Sequence, residues 1–145
     1  MRLEVRVRSK NRLAIDTSAL LALVAPRDQH HAQAVRIARQ HVEQGGRFVG
    51  SVLVLVELHG HLLRWRGAPD AHELVDRVRR DRAYEWHGVD VALMEAAHRS
   101  WLARMGGLRL SMTDAVTFEL MRREQLETAF AFDQHFELAG FQLAQ

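Results

Sequence analysis

The stretch Arg12-Leu13-Ala14-Ile15-Asp16-Thr17-Ser18-Ala19-Leu20 decides how this chain is read. Its first four residues suit a short strand, and Ser18 to Ala25 reads as a short apolar helix stopped by Pro26. Asp16 stands at the join, where a carboxylate either caps the helix or holds a metal. Three further acids occupy comparable places. Glu57 interrupts the apolar run Val52 to Leu58, Asp114 follows Ser111-Met112-Thr113, and Asp133 ends Phe130-Ala131-Phe132.

Working outward, short apolar runs alternate with amphipathic segments, which points to an α/β fold with a mostly parallel central sheet. Strands are expected at Arg12 to Ile15, Arg47 to Gly50, Tyr84 to His87, Ala129 to Phe132 and Phe141 to Leu143. Helices are expected at Ser18 to Ala25, Asp28 to Gln44, Val52 to Arg66, Pro69 to Arg80, Asp90 to Met105 and Thr113 to Arg123. Gly45-Gly46 and Gly67 supply stops, and Pro69 fits a first helical turn. Leu3, Val5 and Val7 alternate with charged neighbours, so the first residues read as a basic arm or as an added edge strand.

At 145 residues and 48% hydrophobic content, the chain is one domain with a sizeable core. No apolar run is long enough to span a bilayer, and no signal-peptide pattern is present. Without cysteine there is no disulfide framework and no thiolate metal site, and a cytoplasmic location is expected. The net charge of +2 is unevenly spread: residues 1–12 carry a balance of +4, and the rest −2. The body is therefore not a uniformly basic nucleic-acid coat. All basic residues but Lys10 are arginine, whose planar fork suits phosphate, although codon usage accounts for the bias equally well.

In an open parallel sheet, functional groups gather at the carboxyl ends of the strands. Asp16 and Asp133 each directly follow an expected strand, and Asp114 and Glu57 fall in the first turns of expected helices, so all four can face one edge. Four like charges in one cleft force some to protonate. A hard divalent cation removes that conflict, and Mg²⁺ or Mn²⁺ prefers oxygen ligands and keeps waters for phosphate to replace. Such an ion polarises a phosphodiester and activates a water. Against this, Asp16, Asp114 and Asp133 each satisfy the requirements of a helix cap, and Glu57 has an alternative place on an outward helix face. Capping and metal binding are compatible, because the helix dipole favours a carboxylate there.

Four segments, taken in order, carry a resemblance. They are Asp16-Thr17-Ser18-Ala19-Leu20, Val56-Glu57-Leu58 through Leu62-Leu63-Arg64-Trp65-Arg66-Gly67, Leu110-Ser111-Met112-Thr113-Asp114-Ala115, and Phe130-Ala131-Phe132-Asp133-Gln134-His135-Phe136 with Ala139-Gly140-Phe141. From about Leu13 to Leu143 the chain resembles the PIN-domain family, and its compact form resembles the VapC branch, the toxins of type II toxin–antitoxin pairs. The resemblance implies a three-layer α/β/α fold and Mg²⁺-dependent endoribonuclease activity, with Mn²⁺ as substitute. It implies metal-ligand roles for Asp16, Glu57, Asp114 and Asp133. It also implies an RNA substrate, a homodimer and a cognate antitoxin protein as partner. Residues 12–145 then form the nuclease domain, and residues 1–11 a basic extension beyond the usual start. A second departure is Ala131, where many members have threonine.

The nine histidines lack zinc-ligand spacing. His31 reads as packing; His135, beside Asp133, is placed either to touch RNA or, more simply, as a surface residue. Arg77, Arg79, Arg80 and Arg82 read as a solvated helix face, while Arg64 and Arg66 around Trp65 suit an antitoxin groove. Glycine-rich phosphate loops are absent, and Ser18 and Ser51 lack a nucleophile elbow. The alternatives are a non-catalytic PIN-like module that binds RNA or protein, and a phosphoacceptor signalling domain. Receiver domains need a lysine near the phosphorylated aspartate; here the lone lysine is Lys10.

Overall fold

A computed structural model of the protein describes residues 11–145; the basic arm or edge strand expected at residues 1–10 lies outside the described residues. Among the described residues, five strands form one sheet: β1 (Arg12–Ile15), β2 (Arg47–Ser51), β3 (Tyr84–His87), β4 (Thr128–Phe130) and β5 (Gln142–Leu143). They lie in the order β3-β2-β1-β4-β5. Every pairing is parallel, with Leu13 opposite Phe48, Val49 opposite Glu85 and Ile15 opposite Phe130. The order steps outward from β1 in both directions, so β1 and β4 bracket the point where the chain changes direction across the sheet. In such sheets the crevice beyond the carboxyl ends opens there.

The helices cover both faces, giving three α/β/α layers. They are α1 (Thr17–Val24), α2 (His31–Glu43), α3 (Val52–Arg66), α4 (Ala68–Arg80), α5 (Val91–Ala97), α6 (Met112–Arg123) and the single turn α7 (His135–Leu138). Strand alternation divides the core. Ile15, Phe48 and Phe130 point to one face and pack with Leu20, Val54, Leu58 and Leu62 of α1 and α3. Ala14, Val49 and Ala129 point to the other, against Phe118 and Met121 of α6 and Phe136 of α7. Ala115 to Met121 are all buried, so α6 runs through the middle of its layer. Phe118 meets Phe136 edge-on at 5.0 Å, an arrangement that adds roughly 0.5–1.5 kcal/mol to the burial of the rings.

Two glycines are required by geometry. Gly67, at φ +85°, separates α3 from α4 in a conformation that a side chain rarely adopts. At Gly50 in β2, a Cβ would fall 2.7 Å from the Trp86 ring and 2.8 Å from Ile15, so the strand itself must stay bare.

Several expected boundaries differ. Asp28 to His30 form turns before α2. The helix expected from Asp90 to Met105 is α5 followed by a π-helical segment, His98–Leu102. The fourth strand ends at Phe130 rather than Phe132, and α7 was not expected.

Candidate metal centre

Asp16 leaves β1 with extended backbone and caps α1, its side chain accepting from Ser18 N at 3.1 Å. Its own N–H donates to Phe130 O of β4 at 3.1 Å, which fixes the first acid to the neighbouring strand. Ser18 completes the tie. Its hydroxyl donates to Asp16 Oδ2 at 2.5 Å and accepts from Phe132 N at 3.0 Å. Phe132 is thereby held by a side chain where a strand neighbour would otherwise hold it, which is why β4 stops short. Asp16 is buried, and that burial pushes its carboxyl up to about 6, with Asp114 and Asp133 adding like-charge repulsion against the Ser18 hydrogen bonds.

Asp114 forms a reciprocal capping box at the start of α6. Its backbone N–H donates to Ser111 Oγ and its Oδ2 accepts from Ser111 N, both at 3.1 Å. Burial raises its carboxyl above the usual range, with Asp133 and Glu57 nearby adding to the rise. Glu57 is half-buried on α3. Asp133 opens the turn into α7, its Oδ1 accepting from His135 N at 2.9 Å. The cap readings therefore hold for Asp16 and Asp114, and each carboxylate also faces other acids. Asp16, Asp114 and Asp133 repel one another, and Glu57 joins through Asp114.

Two residues near the acids went unread in the sequence. Ser18 bridges Asp16 and Phe132, and the signal for it in sequence is its place two residues after Asp16. His135 is half-buried, and its Nδ1 lies 3.2 Å from Asp133 Oδ1. Replacing Ser18 by alanine removes the hydroxyl and strands the Phe132 N–H. The expected result is a loss of about 1–3 kcal/mol, read as a lower urea midpoint at unchanged slope. A midpoint equal to that of the wild type would show that water replaces both bonds.

Other features set aside in the sequence are placed as well. His31 Nδ1 lies 2.7 Å from Ala22 O and ties α2 to α1. Arg77, Arg79 and Arg80 pair with Glu73 and Asp76 along exposed α4. Arg66 stacks on Trp65 at 4.7 Å while donating to Val24 O. A cavity of about 540 Å³ opens beside the end of β3, lined by His87, Leu93, Leu120 and Glu124 among others; none of the four acids borders it.

The donor chemistry fits a divalent cation. Shielded carboxylates in mutual repulsion are stabilised by positive charge, and Asp16 and Asp114 are both raised. The model of the PIN domain matches residues 13–142, which is most of the chain and contains all four acids.

The chain belongs to the PIN-domain family.

Solved structures agree. VapC20 of Mycobacterium tuberculosis, a toxin that cleaves the sarcin–ricin loop, is 30% identical to this chain, with a TM-score of 0.78, over 89% of this chain and 95% of VapC20. FitAcB of Neisseria gonorrhoeae is 16% identical, with a TM-score of 0.65, over 92% of this chain and 96% of its own. VapBC2 of Rickettsia felis, bound to a DNA fragment from its promoter, is 15% identical, with a TM-score of 0.61, over 91% of this chain and 96% of its own. These last two share the PIN fold. Among curated proteins, none matches the chain. Among the described residues, no helix is long and apolar enough to cross a membrane.

Proposed function

We propose that the chain is a metal-dependent endoribonuclease, the toxin of a type II toxin–antitoxin pair. One observation carries the reading: Asp16, Asp114 and Asp133, which follow β1, open α6 and follow β4, repel one another beyond the carboxyl ends of a parallel sheet, and Glu57 of α3 reaches this group through Asp114. Its similarity to VapC20, a toxin that cuts an RNA loop, supports a ribonuclease over other phosphodiesterases. Residues 12–145 form the nuclease domain and residues 1–11 a basic extension. Asp16, Glu57, Asp114 and Asp133 hold a divalent cation, Mg²⁺ or Mn²⁺; the partners are an RNA substrate, a cognate antitoxin and a second copy of the chain.

When bound, the ion supplies Lewis-acid stabilisation of phosphoryl oxygens and promotes deprotonation of the attacking water. The residues of the chain do the positioning. Ser18 and its two hydrogen bonds keep Asp16 aligned with the segment after β4. The capping box fixes Asp114 through Oδ2. The turn at His135 N fixes Asp133 through Oδ1. Preset acids of this kind lower the cost of assembling the site around a phosphodiester. The four carboxylates do not read sequence, so choice of RNA falls to surface shape around them.

The test uses the purified chain with a sarcin–ricin-loop oligonucleotide and with total cellular RNA. The expected result is discrete cleavage that chelator abolishes and Mg²⁺ or Mn²⁺ restores, leaving 5′-phosphate and 3′-hydroxyl ends. Intact RNA at saturating metal would overturn the proposal.

A further inference from the structure

Among the described residues, two groups place three potential ligand atoms within 4.8 Å of one another, and neither is the four-acid set. The first is Glu85, His87 and Glu124. There Arg12 lies 2.8 Å from Glu85 and 3.1 Å from Glu124, so a guanidinium already bridges both carboxylates and competes with any added cation. The second is Asp114, Asp133 and His135. Among the described residues its two carboxylates pair with no guanidinium, and its third atom is an imidazole nitrogen.

We propose that His135 is a direct metal ligand, supplying nitrogen beside Asp114 and Asp133, and that the site consequently takes Mn²⁺ in preference to Mg²⁺. The inference rests on the metal-dependent reading above and deepens it by naming a further donor and the ion that suits it. Three features support it. The Nδ1 atom of His135 is shut off from solvent and has no hydrogen-bond partner; its one charged neighbour is Asp133 Oδ1 at 3.2 Å, itself one of the carboxylates of the site. A shielded nitrogen without a partner is costly, and a metal would satisfy it. The ring is also held in place by the backbone. His135 N donates to Asp133 Oδ1, and the next residue, Phe136, is fully buried against Phe118. The third feature is the donor chemistry. Mg²⁺ prefers oxygen throughout and sheds water reluctantly, whereas imidazole is a good ligand for transition metals. An imidazole added to the carboxylates shifts the balance toward Mn²⁺.

The test is pulsed electron paramagnetic resonance on the full chain loaded with Mn²⁺, together with competition between Mn²⁺ and Mg²⁺. The expected spectrum shows ¹⁴N modulation from a directly bound imidazole, and feeding ¹⁵N-histidine changes its frequency. In His135→Phe the modulation disappears and Mn²⁺ affinity falls about tenfold or more, while Mg²⁺ affinity changes far less. The turn at Asp133 uses the backbone of residue 135, so the variant keeps it. Bound Mn²⁺ without ¹⁴N modulation in the wild type would overturn this inference and leave the four-acid reading intact. Failure of the wild type to bind Mn²⁺ at all would overturn both.

Discussion

Asp114→Asn is expected to lower metal-dependent RNA cleavage by about three orders of magnitude with little change in thermal stability. The separation of those two effects is what makes the substitution informative. Asp114 has a structural duty, since its Oδ2 accepts from Ser111 N while its own N–H is held by Ser111 Oγ. Asparagine still offers a side-chain oxygen to Ser111 N, so the capping box survives. What it lacks is the negative charge. A ligand charge at a phosphoryl-transfer centre is worth several kcal/mol in the transition state, or on the order of 10³ in rate. Losing a residue that only orients a ligand costs roughly 10–100-fold. A single-turnover assay on the RNA cut by the wild type, paired with a thermal melt, distinguishes these cases. Undiminished cleavage by the folded variant would reduce Asp114 to a helix cap.

Asp16→Asn is expected to make the metal-free protein more stable above neutral pH, although it removes an acid from the site. Burial raises the Asp16 carboxyl from 3.8 to about 6, so the folded chain favours its protonated form. That contribution is fully present below about pH 4 and is lost as pH rises through about 6. By pH 8 the cost is on the order of 2–3 kcal/mol. Asparagine carries no charge at any pH and escapes the loss, while its oxygen can still accept from Ser18. In chelator the variant should melt several degrees above the wild type at pH 8, with the gain vanishing near pH 4. Added Mg²⁺ should reverse the order by binding the folded wild type more tightly. Equal melting temperatures at pH 8 in chelator would mean that Asp16 ionises there without strain.

The sheet was largely legible because its strands are short apolar runs bounded by turn residues, as at Arg12–Ile15 and Arg47–Ser51. The misread boundaries have physical causes. Phe132 looks like strand in sequence, but its N–H goes to Ser18 Oγ. The π-helical segment at His98–Leu102 keeps enough helical spacing for Leu93, Ala97 and Trp101 to read as one continuous face. The turn His135–Leu138 is too short to show any period. Asp16, Glu57 and Asp133 could be singled out because each interrupts or ends an apolar run, and Asp114 because it falls in the first turn of an expected helix. Ser18 and His135 could not, because what they do depends on neighbours that only folding provides. The seven-residue buried stretch of α6 likewise shows no amphipathic stripe, since helices flank it within its own layer.

The Ser18–Phe132 hydrogen bond joins residues 114 positions apart, and β1 takes its inner neighbour from the far side of α6. During synthesis, the ribosome therefore releases Asp16 long before the strand that steadies it exists. A chain arrested ahead of Phe130 has β1 exposed along one edge and neither Asp133 nor the clasp on Ser18. If the proposed activity holds, an interrupted message yields a harmless fragment, and the hazard to the cell begins only with translation past the fourth strand.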